Sequence, residues 1–145
     1  MRNSRTARAS VWAALALQFA GLIYDGLWHG LLHPGAEPTT FADMRAHLAS
    51  VHLVIYLGVL SVLITTGWAL LERRSWAVVA FAGAVLSTVG EAWHASIHLR
   101  LSTHGGPIAE GVATIGFVIV ALALWVGGRR ERHRLPVPKG SRRAA

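Results

Sequence analysis

Hydrophobic residues are gathered into four long runs along this chain, and none of them alternates apolar and polar positions as a β-strand would. Each run is about 20 residues long, enough for a helix to cross a hydrocarbon core of about 30 Å. Short connections favour antiparallel neighbours. The pattern therefore predicts an all-α integral membrane protein, an up-down-up-down four-helix bundle. The predicted helices are about 10–33, 44–71, 75–100 and 107–127, in a transmembrane domain 1–128 followed by a basic cytoplasmic tail 129–145.

Charge adds an orientation to this bundle. The net charge is +7, and all 14 basic residues except Arg45 and Arg100 lie on one side of the predicted helices. The positive-inside rule then places both termini in the cytoplasm, and the composition indicates a bacterial cytoplasmic (inner) membrane. The basic tail carries no nucleic-acid motif, so we expect the lipid bilayer as its partner and no nucleic acid. A homo-oligomer is compatible with the sequence.

The histidines lie on the opposite, outward side, with His133 as the exception. At 100° per residue, Asp25, His29 and His33 fall at about 0°, 40° and 80° on the first helix. Glu91, His94 and His98 form a similar stripe on the third. An ionisable residue in a membrane span costs about 2.5–3.5 kcal/mol on insertion scales unless it faces the bundle and finds a partner. Two such stripes therefore predict a functional site in the outer-leaflet half of the bundle.

Metal binding is the chemistry that this pattern favours. Imidazole and carboxylate without thiolate suit Cu(II), Zn or non-haem Fe, since the chain has no cysteine. Glu91-x-x-His94 has the spacing by which four-helix carboxylate bundles hold two metals, so the site could be mononuclear or dinuclear. The candidate ligands are Asp25, His29, His33, His52, Glu91, His94 and His98, and the residues given a lesser or supporting role are His47, His104, Glu110 and Tyr56. His47 is given a lesser role as a metal ligand because it lies about 140° from His52 on one regular helix.

Other interpretations stay open at this point. Haem is disfavoured because paired membrane haems need histidines far apart along each helix, whereas these are one turn apart. A metal-free proton relay or pH sensor would also use such a network. If a metal binds, the protein is either a metal-dependent oxidoreductase or a protein for copper or zinc storage, delivery or sensing. A metal ion whose coordination positions are all filled by protein ligands would favour storage, delivery or sensing over an oxidoreductase.

The sequence also contains a weak internal repeat, because "WHGLLH" and "WHASIH" both read W-H-x-x-x-H. "GLIYDGLWHGLLHP", followed by "HLASVHLVIYLG", resembles a group of small uncharacterised bacterial four-helix membrane proteins with an Asp-x-x-Trp-His motif. The spacing of Asp25 and His29, Asp-x-x-x-His, is also similar to that in the intramembrane copper site of the C subunit of particulate methane and ammonia monooxygenases. That resemblance implies copper, with a later histidine as third ligand: His33, His47 or His52.

Overall fold

The computed structural model describes residues 4–36, 38–101 and 106–133, and over these residues the chain is helical and without strands. A π-helical turn, Trp28–Leu32, continues the first helix. The α-helices are α1 Ser4–Leu27, α2 Phe41–Ser50, α3 Leu53–Leu71, α4 Ala77–His98 and α5 Pro107–His133. The predicted all-α fold is confirmed. His104 and tail residues 134–145 lie outside the described residues.

Four of the helical segments are long and apolar enough to cross a membrane. Their outward faces carry large apolar side chains, such as Leu57, Leu60 and Ile64 on α3, which suit contact with lipid. α2 is the short exception, and Thr40 caps its start by accepting a hydrogen bond from the Asp43 backbone N–H at 3.1 Å. The four segments are Arg5–Leu32, Leu53–Leu71, Ala77–His98 and Pro107–Arg130.

Small residues let the spanning helices approach closely. α4 packs along α5 and α1 along α3, with α3 and α4 also in contact. A Cβ at Gly90 would clash with the backbone of Ala113 on α5, and one at Gly58 would clash with the backbone of Gln18 on α1. Such close approach is how membrane helices gain van der Waals contact when lipid offers no hydrophobic driving force.

The two ends of the bundle have different interiors. At one end the core is apolar and includes Val11, Leu15, Val62 and Leu124. Buried polar side chains dominate the other end. There the C-terminal end of α1, the N-terminal end of α3, the C-terminal end of α4 and the N-terminal end of α5 come together, as ring contacts and ion pairs between them show. In the described part of the chain as a whole, the buried polar residues are Gln18, His47, His52, Thr66, Ser87, Glu91, His94 and His98.

Two local departures from regular helix lie at this polar end. In the π-helical turn the His33 N–H donates to the Trp28 carbonyl at 2.8 Å, one residue further back than in an α-helix. The predicted helix 44–71 is interrupted at Val51 and His52, where the ψ of His52 is −5°, away from the helical value. The interruption separates α2 from α3 and changes the direction in which neighbouring side chains project.

Candidate metal centre

The second copy of the W-H-x-x-x-H repeat, Trp93 to His98, lies on α4, where the helix is uninterrupted. His94 and His98 are one turn apart, both are buried, and their Nε2 atoms are 2.9 Å apart. Regular α-helical geometry puts residues i and i+4 on one face. The two imidazoles therefore present nitrogens to the same point inside the bundle.

His52 lies at the centre of the polar end. It is the N-cap residue of α3 and is only 1% exposed. Its ring centroid lies 5.6 Å from that of His94 and 5.4 Å from that of His98. On the side of the first motif, the Oδ1 of Asp25 lies 3.5 Å from the Nε2 of His52 and 3.6 Å from the Nε2 of His29. Both motifs therefore meet at this one side chain.

His47 approaches the same point from α2. Its ring centroid is 5.1 Å from that of His29 and 5.1 Å from that of His52. The sequence places His47 and His52 on different faces of one regular helix, but the interruption at Val51 and His52 removes that regularity. The structure thus brings together two histidines that uninterrupted helical geometry keeps apart.

Two groups of three histidines could hold a metal ion. They are His29, His47 and His52, and His52, His94 and His98. Within each group one nitrogen from every residue lies within 4.8 Å of the others. His52 belongs to both groups, so five side chains from α2, α4, the N-terminus of α3 and the π-helical turn converge on a small volume. We call these five residues the histidine cluster.

Burial favours the metal-binding form of two histidines in the histidine cluster. His47 and His52 lie outside the spanning segments, and burial lowers the pKa of both; for His52 burial and then the neighbouring histidines lower the pKa to about 3. Neutral imidazole is the ligating form. Four buried nitrogens of the histidine cluster have no hydrogen-bond partner in the part of the chain that the structure describes, although buried polar atoms are normally paired. They are His47 Nε2, His52 Nδ1, His52 Nε2 and His98 Nδ1.

A cavity of about 180 Å³ adjoins the histidine cluster on the side of the bundle interior. Three carboxylates line it, from Asp25 on α1, Glu91 on α4 and Glu110 on α5, together with Gln18 and His94. The Nδ1 of His94 lies 3.6 Å from the Oε1 of Glu110. We call this space the carboxylate cavity. It and the histidine cluster share His94 and are linked by Asp25.

Not every candidate from the sequence joins the histidine cluster. His33 lies beyond the π-helical turn, is exposed and stacks on Trp28 at 4.6 Å between ring centroids; it is in neither group of three. The π-helical turn shifts the register that would have placed it above His29. Tyr56 stacks on His52 at 6.0 Å, and Glu91 faces the carboxylate cavity.

Two residues at this end were not among the predicted site residues. Trp28 packs against His29, His33 and His47, with ring centroids 4.6 to 4.8 Å away. Gln18 is 1% exposed and lines the carboxylate cavity. Gln18 carried a signal, because it lies seven residues before Asp25 and therefore on the same helical face, within an otherwise apolar run.

Comparison with known proteins adds no relative, since no protein family, no curated protein and no solved structure matches this chain. The case for function rests on the chemistry of the histidine cluster and the carboxylate cavity.

Proposed function

We propose that this chain is a multi-pass membrane protein that binds a transition-metal ion through the histidine cluster. One observation carries the proposal: two groups of three histidines share the buried His52, and four of their buried nitrogens lack a hydrogen-bond partner in the described residues. Leaving such atoms unpaired costs about 1–3 kcal/mol each. A metal ion bound by either group accepts the lone pair of one ring nitrogen from each histidine and offsets part of that cost.

The donor set restricts which metal fits. Three neutral imidazoles form a known ligand set for Zn, and imidazole also suits Cu and Fe, whereas the chain offers no thiolate. Asp25 lies close to both His29 and His52, where a carboxylate orients ligating imidazoles and raises their basicity. We therefore expect one ion of Cu, Zn or Fe held by His52 with either or both of its histidine pairs.

We further propose that the centre opens towards the outer face of a bacterial cytoplasmic membrane. The bundle would run up-down-up-down with both termini in the cytoplasm. Support comes from the basic residues, which concentrate at the end away from the histidine cluster, as Arg73, Arg74 and Arg129 do. The Arg129 guanidinium lies 3.9 Å from the centre of the Trp125 ring, a pairing suited to a membrane interface.

Metal content of the purified protein tests the proposal. The protein is purified in mild detergent without a polyhistidine tag, reconstituted separately with Cu(II), Zn(II) and Fe(II), and then analysed for bound metal. We expect at least one equivalent per chain for one of these ions. The His52→Ala variant should lose it, whereas Asp43→Asn, a change at the start of α2, should not. Absence of metal after reconstitution would leave a metal-free proton relay as the better interpretation.

An oxidoreductase is the second candidate, and a groove favours it. A space of about 310 Å³ between α3 and α4 is lined by apolar residues such as Val59 and Leu60, and also by Tyr56 and Glu91. Since Glu91 also lines the carboxylate cavity, a lipid-soluble substrate in the groove would lie close to the metal. Anaerobic addition of a quinol to the Cu(II)-loaded protein tests this, because a substrate-accessible centre should lose its Cu(II) EPR signal. A Leu60→Trp variant, which fills the groove, should slow that loss.

A further inference from the structure

The carboxylate cavity differs chemically from the histidine cluster. Its three acidic side chains come from three different helices, and Glu91 is buried. Charged groups inside a membrane bundle are costly unless each finds a partner. In the described residues the Arg and Lys side chains line no part of this cavity. A space lined by three carboxylates and by no Arg or Lys side chain therefore suits a cation from outside the chain.

Gln18 gives an independent indication of the same partner. The Nε2 of its amide donates to the Ser87 hydroxyl at 3.0 Å, which fixes the orientation of the amide. The remaining oxygen, Oε1, is buried and has no hydrogen-bond partner in the residues that the structure describes. An amide oxygen can only accept, so Gln18 adds a fourth acceptor to three carboxylates. Oxygen donors in this number are typical of sites for hard cations.

His94 connects the cavity to the histidine cluster. Its Nε2 lies 2.9 Å from the Nε2 of His98, while its Nδ1 lies 3.6 Å from the Oε1 of Glu110. One imidazole thus offers one nitrogen to each side. The cavity volume of about 180 Å³ leaves room for an ion with several waters, since each water occupies about 30 Å³ in the liquid.

We propose that the carboxylate cavity is a second metal position that takes an oxygen-preferring divalent ion of the Mn²⁺ or Fe²⁺ type. Its donors are the carboxylates of Glu91, Glu110 and Asp25 and the amide oxygen of Gln18. His94 links it to the histidine cluster, because the Nδ1–H of His94 faces Glu110 while its Nε2 faces His98. The inference rests on the proposed function, because His94 is also a residue of the histidine cluster that binds the first ion. With both ions bound, the centre is dinuclear and its two positions differ chemically.

Sequential loading with Zn²⁺ and Mn²⁺ tests the second position. The protein is first loaded with one equivalent of Zn²⁺ and then titrated with Mn²⁺, whose EPR signal in solution falls as the ion binds. Zinc in the retained protein is measured in parallel. We expect one Mn²⁺ per chain in addition to the zinc. Glu110→Gln and Glu91→Gln should weaken Mn²⁺ binding by about 10- to 100-fold, while the retained protein still carries its one equivalent of zinc.

Controls separate the two proposals. Glu72→Gln is the matched variant, because Glu72 pairs with Arg74 away from the cavity, and it should bind Mn²⁺ as the wild type does. Glu110 is 60% exposed, so its replacement by Gln should leave the fold intact, which elution profile and thermal unfolding would check. Zinc binding without Mn²⁺ binding, or unchanged Mn²⁺ affinity in both glutamate variants, would overturn the second position alone. Failure of zinc to bind would instead overturn the proposed function.

Discussion

The two W-H-x-x-x-H motifs have the same spacing and different structures. In the motif on α4, His94 and His98 are both buried and their Nε2 atoms are 2.9 Å apart. In the first motif, His29 reaches the histidine cluster but His33 is exposed and stacks on Trp28. The difference arises from the backbone, since α4 is regular through His98 whereas the first motif contains the π-helical turn.

Motif spacing alone therefore does not determine which side chains converge. In the first half of the chain the place that His33 would have taken is filled by His47, which α2 contributes from the following segment. Each motif nevertheless supplies part of a group of three, His29 from the first and His94 with His98 from the second, and both groups include His52. π-helical turns of this kind occur frequently at functional sites.

The largest effect should come from the residue that both groups share. His52→Ala removes a ligand from each group at once. We therefore expect the affinity for Cu(II) or Zn(II) to fall by about 100-fold or more, because losing a residue that only orients a ligand already costs about 10- to 100-fold. Competition with a chelator of known affinity measures it. Tyr56→Phe, one turn away, is the matched control. Wild-type affinity in His52→Ala would place the metal elsewhere.

The second histidines of the two motifs provide the most direct contrast. His98→Ala should weaken metal binding by about 100-fold, because it removes a buried donor whose partner His94 remains in place. His33→Ala should leave the affinity unchanged, since His33 lies outside both groups. The same chelator competition compares the two variants. Equal losses would mean that the first motif binds as a regular helix with His33 as ligand.

The tryptophans of the motifs should also behave differently. Trp28 packs against three histidine rings, whereas Trp93 is 44% exposed on α4. Trp28→Ala should lower metal affinity by about 10-fold through loss of ligand orientation, and Trp93→Ala should not lower it. Isothermal titration with Zn²⁺ detects a difference of this size. An equal effect of both would indicate loss of helix packing rather than of ligand orientation.

Periodicity in the sequence was enough to predict the helices and part of the site. Four apolar runs predicted four spanning helices, and 100° per residue placed His94 and His98 on one face. Both features depend on regular helix, which the sequence pattern describes well. The burial of Glu91 beside His94 follows from the same stripe.

The rest of the site depends on departures from regular helix. No signal in "WHGLLH" distinguishes a π-helical turn from an α-helical one, so the pattern predicts His33 as a ligand on the face of His29, whereas the structure leaves it outside both groups. Nothing in "HLASVH" shows that the helix is interrupted at Val51 and His52, so the pattern gives His47 only a lesser role, whereas the structure places it in a group of three. These departures are set by packing between helices, which a single sequence does not display.

The smallest expected effect concerns the residue at which the motifs first differ. Gly30 of the first motif corresponds to Ala95 of the second. Gly30 has no positive φ, and a Cβ there would meet no atom within 4 Å, so Gly30→Ala fits the existing backbone. We expect it to stabilise the protein by about 0.4–1 kcal/mol through reduced freedom of the unfolded chain, with metal affinity unchanged.

Thermal unfolding in detergent and chelator competition test these two expectations together. Gly111→Ala is a suitable control for helix propensity, because a Cβ there is also free of contacts but lies on α5 outside the motifs. If Gly30→Ala alone weakened metal binding, the added Cβ would have favoured an α-helical register that moves His29 away from His47. Gly30 itself, and not packing around it, would then be the reason that two equal motifs adopt different structures.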